Sequence, residues 1–120
     1  MKGVLIIAHG SRRESTVETM NFILGIVREN ITDVKIVSSY MEFAKPSVTE
    51  GLEELKSAGV TDIIAVPYFL FDGIHIKEDI PEELEKFRKL NPDIKVTMGD
   101  TLGKDKRLAD ILTQRIKEAF

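Results

Sequence analysis

Ile63-Ile64-Ala65-Val66-Pro67-Tyr68-Phe69-Leu70-Phe71-Asp72-Gly73-Ile74-His75 is the stretch on which the reading of this chain turns. Ile63 to Val66 is an unbroken apolar run, as expected of a strand covered on both faces. Pro67 lacks an N–H and closes the strand. Tyr68 to Phe71 follow neither a strand nor a helix period, so they form an apolar loop. Asp72-Gly73 turns that loop and His75 closes it. An aromatic loop ending in an imidazole suits the wall of a site for a flat apolar ligand with a metal or proton at its centre.

Outward from that stretch the chain alternates. Gly3 to Ala8 is a second apolar run, also read as a strand buried on two sides, and it ends in His9-Gly10-Ser11. Glu14 to Asn30 has helical spacing through Val17, Met20, Ile23 or Leu24, and Val27, with Ser11 or Ser15 as its cap. Asp33 to Tyr40 is the next strand, and Met41 to Lys45 its exit loop. Pro46 suits the first turn of a helix carrying Val48, Leu52 and Leu55 and ending at Ala58-Gly59. After the central stretch, Ile80, Leu84, Phe87 and Leu90 mark a third helix. Ile94, Val96 and Met98 alternate as an edge strand, and Asp105 to Ala119 forms a closing helix. This β-α repetition predicts an α/β fold: one flavodoxin-like domain over 1–120, with a four-stranded parallel sheet of order 2-1-3-4 and helices on both faces.

Composition narrows the chemistry. The 120 residues suit one domain, and a net charge of −3 argues against a nucleic-acid binder with a basic face. The chain has no cysteine, which excludes disulfides and thiolate metal sites. The N-terminal apolar run is shorter than a signal peptide or a span of about 20 residues requires. The expectation is a cytoplasmic protein that engages no membrane. No glycine fingerprint for phosphate is present, so no nucleotide is expected.

In such sheets ligands bind beyond the carboxyl ends of the strands, where the strand order reverses. That edge collects His9 to Arg13 after the first strand, Met41, Glu42 and Lys45 after the second, the aromatic loop from Tyr68 and His75 after the third, and Asp100, Thr101 and Gly103 after the fourth. Each has a plain structural reading. A strand-end histidine often bonds a neighbouring backbone group, Ser11 caps or turns, and Arg12, Glu42 and Lys45 are ordinary rim charges. Two imidazoles on one edge favour function, because imidazole is both a metal ligand and a base near neutral pH. Glu42 is then a further ligand or a proton acceptor, and Arg12 and Lys45 are clamps for acidic groups.

Four pieces carry a resemblance: Ala8-His9-Gly10-Ser11-Arg12, Met41-Glu42-Phe43-Ala44-Lys45-Pro46, Val66 to His75 with Asp79-Ile80-Pro81, and Leu102-Gly103-Lys104-Asp105-Lys106-Arg107-Leu108. In this order they resemble the short CbiX family of sirohydrochlorin chelatases, including the nickel-inserting CfbA group. Thr101 departs from the proline expected there. The resemblance implies insertion of Co2+ or Ni2+ into sirohydrochlorin with release of two protons, in cobalamin or related tetrapyrrole synthesis. It implies His9 as metal ligand and proton acceptor and His75 as the second metal ligand; Glu42 assisting with the protons is a reading of the residues themselves. Lys45 and Leu70-Phe71-Asp72-Gly73-Ile74-His75 are the implied substrate contacts, and Ser11, as an anion seat at a helix start, and Arg12, as a clamp, are added on their own chemistry. No cofactor is implied beyond the metal substrate, and the short form is expected to pair as a homodimer. The rival reading is a non-catalytic carrier of a tetrapyrrole or metal ion in the same cleft.

Overall fold

A computed structural model describes residues 1–74 and 76–120; residue 75 enters only through the bounds of one short helical segment. The element order is β1 (Lys2–Ala8), α1 (Glu14–Asn30), β2 (Lys35–Tyr40), α2 (Val48–Ser57), β3 (Asp62–Pro67), a π-helical turn (His75–Asp79), α3 (Ile80–Leu90), β4 (Lys95–Met98) and α4 (Lys106–Ala119). The strands form one parallel sheet of order β2-β1-β3-β4. The sequence led to this order and to nearly these boundaries. It gave no sign of the π-helical turn leading into α3, which lies where a plain loop was expected.

One face of the sheet is sealed. Leu5, Ile7, Val37, Ile63 and Ala65 point to it and pack against Val48, Leu52 and Leu55 of α2 and Ile80, Leu84 and Phe87 of α3. Each helix has a local reason to start where it does. Ser47 accepts from the Glu50 N–H while Glu50 accepts from the Ser47 N–H, a complete capping box one residue after Pro46. Pro81 occupies the first turn of α3, where its missing N–H costs nothing.

The other face is covered only over β1 and β2, where Met20 and Leu24 of α1 meet Ala8, Ile36 and Tyr40. This corrects the expectation that the third strand is buried on both sides. β3 alternates: Ile63 and Ala65 are fully buried, while Ile64 between them is 42% exposed. β1 alternates more mildly, with Val4 and Ile6 half-buried. α4, expected to close the fold, has no buried residue. The cap of α1 is also corrected. Arg13 sits at the cap position without a side-chain cap bond, and Ser11 instead pairs with the Thr16 hydroxyl and accepts from the Arg13 N–H.

Candidate functional site at the carboxyl edge of the sheet

The exits of β1 and β2 are fastened together by backbone. The Met41 N–H donates to Ala8 O at 2.9 Å, and the Glu42 N–H donates to His9 O at 3.1 Å. Gly10 makes this approach possible. Its φ is +94°, and a Cβ there would stand 2.0 Å from the Glu42 carbonyl oxygen, so only glycine fits. The fastening brings His9 Nε2 to 2.8 Å from Glu42 Oε1, with both side chains about half exposed. The His9 ring also leans on Phe69 of the loop after β3, with centroids 6.4 Å apart.

Imidazole and carboxylate at this distance are within hydrogen-bond range, and both remain open to a bound molecule. Such a pair can accept a proton at the ring and pass it to the carboxylate. Among the described residues no third His, Asp or Glu joins them to make a metal cage. The metal role implied for His75 lies outside the described residues.

The other expected residues are distributed along the same edge. The Arg12 guanidinium lies 4.5 Å from the centroid of the Phe43 ring, a cation–π contact. Phe43 itself has φ +66°. Lys45 is exposed, with its ammonium 3.8 Å from Glu50. The Glu50 carboxyl is held below the ordinary carboxylate range, first by the Ser47 N–H, then by the Ser47 hydroxyl and the Lys45 charge. Leu70, Phe71 and Asp72 line a cavity of about 850 Å³ with Met98 and Thr101, at the ends of β3 and β4. His9 and Ser11 line a different cavity of about 390 Å³, with Ser15, Thr16, Thr19 and Tyr68. Gly73 and Ile74 are exposed beyond the loop. The edge therefore gathers the expected residues, but within one copy Leu70 to Asp72 face a hollow separate from the one that His9 shares with Tyr68.

Sequence reading left Thr16 and Thr19 unmarked. Their spacing from Ser15 on the opening turns of α1, just after His9-Gly10-Ser11, was the available signal. It was obscured because hydroxyls at a helix start usually cap it.

Comparison with known proteins follows the same lines. The CbiX family model matches residues 3–119. A sirohydrochlorin cobaltochelatase of Methanococcoides burtonii is 39% identical over 98% of this chain and 96% of its own length. A sirohydrochlorin ferrochelatase of Priestia megaterium is 35% identical over 98% of this chain, which spans only 44% of that longer protein. Among solved structures, the sirohydrochlorin chelatase SirB from Bacillus subtilis subspecies spizizenii, in complex with cobalt, superposes with a TM-score of 0.91 at 26% identity. It covers 98% of this chain, which accounts for 50% of SirB.

Proposed function

This chain belongs to the CbiX family, and from that premise we propose that it is a sirohydrochlorin chelatase that inserts a divalent metal, Co2+ first and Ni2+ as alternative, with loss of two protons. The observation that carries the reading is the end-to-end match to a short cobaltochelatase, with His9 and Glu42 poised at the sheet edge.

The chemistry needs three services, and the edge offers each. The macrocycle is flat and apolar across its face, and Tyr68 to Phe71 provide apolar walls. Its rim bears carboxylates, and Arg12 and Lys45 are cations within reach of solvent. Two pyrrole protons must leave as the ion enters. The single basic nitrogen of the neutral His9 ring serves in turn, accepting a pyrrole proton or holding the borderline ion but not both at once, and as it takes up a proton the Nε2 proton facing Glu42, 2.8 Å away, passes to that carboxylate and on to solvent. His75 is assigned the second metal contact, and Ser11 and the loop from Leu70 to Ile74 the substrate contacts. No nucleotide takes part, and the reaction runs in the cytoplasm. Among the described residues no helix is long and apolar enough to cross a membrane.

The active unit is a homodimer. The His9 hollow and the loop hollow are separate in one copy, and a second copy would supply the facing wall. The test is direct: combine protein, sirohydrochlorin and Co2+ or Ni2+, and follow the change in absorbance against a protein-free control. Turnover of many equivalents is expected. A change that stops at one equivalent of protein identifies a carrier and overturns the reading. His9→Ala should slow turnover by about 100-fold or more with the circular dichroism unchanged, and undiminished turnover would remove His9 from the mechanism.

A further inference from the structure

Two side chains at the sheet edge are held in a way that folding alone does not ask for. Phe43 is the first. It lies in the loop after β2 with φ +66°, in the left-handed region that a bulky side chain adopts only under constraint. Among the described residues the other non-glycine with positive φ is Asp33, whose short polar side chain tolerates that conformation. The loop supplies the constraint. At one end the Met41 and Glu42 N–H groups bond back to Ala8 O and His9 O, and at the other the Tyr40 N–H reaches Pro46 O at 2.9 Å. What this backbone delivers is an aromatic ring facing solvent, 56% exposed. The ring belongs to neither core cluster, so burial does not offset the strain. Strained residues of this kind persist where function uses them.

Arg12 is the second. Its guanidinium lies 4.5 Å from the centroid of the Phe43 ring, inside the reach of about 6 Å over which a ring face attracts a cation. Arg28, Arg88, Arg107 and Arg115 each donate to an oxygen of the chain. Among the described residues Arg12 meets no such oxygen, and a ring face holds it instead. A guanidinium paired with a carboxylate has its fork occupied. One held over a ring is fixed in place and keeps N–H donors for an incoming anion. Lys45, in the same loop as Phe43, differs: its ammonium stands 3.8 Å from Glu50, which partly neutralises it.

The two pairs at this edge share their loops. His9 and Glu42 meet across the exits of β1 and β2 at 2.8 Å, and Arg12 and Phe43 meet across the same two exits just downstream. A rigid anionic ligand gripped by Arg12 is thereby set at a fixed offset from the imidazole. Resting on the chelatase reading above, we propose that Arg12 and Phe43 form one carboxylate subsite. Arg12 binds a carboxylate on the rim of the macrocycle, and Phe43 is the positioning residue that holds the guanidinium ready for it. A macrocycle with acidic groups around its rim can lie over His9 in several rotations. A single fixed cation beside the proton pair selects among them. The selection is made at binding, so the subsite sets affinity for the macrocycle and leaves the chemical step alone.

Steady-state chelation with sirohydrochlorin varied and Co2+ saturating separates the two parameters. Arg12→Ala should raise KM about tenfold, the loss of one charge-assisted pair. The kcat should hold, as it does when an interaction is made equally before and during the chemical step. Phe43→Leu should raise KM about threefold, and Phe43→Tyr should keep it at the native value. In the Arg12→Ala background Phe43→Leu should add nothing, because the ring acts through the guanidinium. Arg13→Ala, also exposed, controls for bulk charge and should leave KM unchanged. Phe43→Gly reads the strain. Glycine accepts positive φ without cost to its side chain, so this variant should melt higher than the native chain while its KM rises as in Phe43→Leu. The subsite is overturned by an unchanged KM in Arg12→Ala or Phe43→Leu, or by additive effects in the double variant. An Arg13→Ala effect equal to that of Arg12→Ala, or a Phe43→Gly chain that melts lower, overturns it too. Equilibrium titration with sirohydrochlorin keeps the two readings apart. Turnover with none of these KM shifts removes the subsite and keeps the chelatase. Binding without turnover removes the chelatase, and the same ratios, read in Kd, then decide the subsite.

Discussion

The two faces of the sheet follow different rules. On the α2–α3 face every strand position that points inward meets a helix, and Leu52, Ile63, Ile80 and Leu84 are wholly buried. On the α1 face the cover stops halfway, with Ile64 open beside it. The first face stabilises the single chain. The second leaves apolar area that contributes only when something docks there. Substitutions on the two faces should therefore differ both in size and in what they report.

The largest effect is expected at Leu84→Ala, which opens a cavity in the sealed face. It should cost about 2–5 kcal/mol by urea unfolding, and a cost under about 1 kcal/mol would mean that this face is looser than it looks. Ser47→Ala removes half of the capping box that starts α2 and should cost about 1 kcal/mol. Gly25→Ala, on α1 where an added Cβ meets nothing within 4 Å, should gain about 0.8–1 kcal/mol, seen as a higher melting temperature. Ile111→Ala should stay within about 0.5 kcal/mol for the single chain, while weakening association in dilution series. An equal loss in isolated copies would place α4 in the monomer core after all.

The smallest effect concerns acid. Glu50 titrates lower when folded than when unfolded. Its contribution is therefore present above the unfolded carboxyl range and fades as pH falls through the lowered folded value. Glu50→Gln should flatten that part of the acid limb in melts between about pH 5 and pH 3. An unchanged slope would mean that the Ser47 and Lys45 contacts do not persist in solution.

Much of this was legible in the residues. Alternating apolar runs and helical stripes gave the strand order, because βαβ units allow few arrangements. His9 and Glu42 fell on one edge because both follow strands. The exposed side of β3 was not legible: Ile63-Ile64-Ala65-Val66 reads as buried whether the cover comes from its own chain or another. The stripe of α4 misled for the same reason, since periodicity reports that a face will be covered and not by whom. The role of Ser11 was missed because a hydroxyl before a helix is ordinarily its cap, and here it pairs sideways with Thr16. The turn of π-helix after Gly73 carries no compositional mark.

Gly10 has a consequence for how the gene can change. Any side chain at that codon would push the Glu42 carbonyl outward and part the imidazole from its carboxylate, without replacing either residue proposed to handle the proton. A library randomised there and selected for growth on its tetrapyrrole product should come back with one amino acid, whereas neighbouring Arg13, exposed and holding no cap bond, should drift freely.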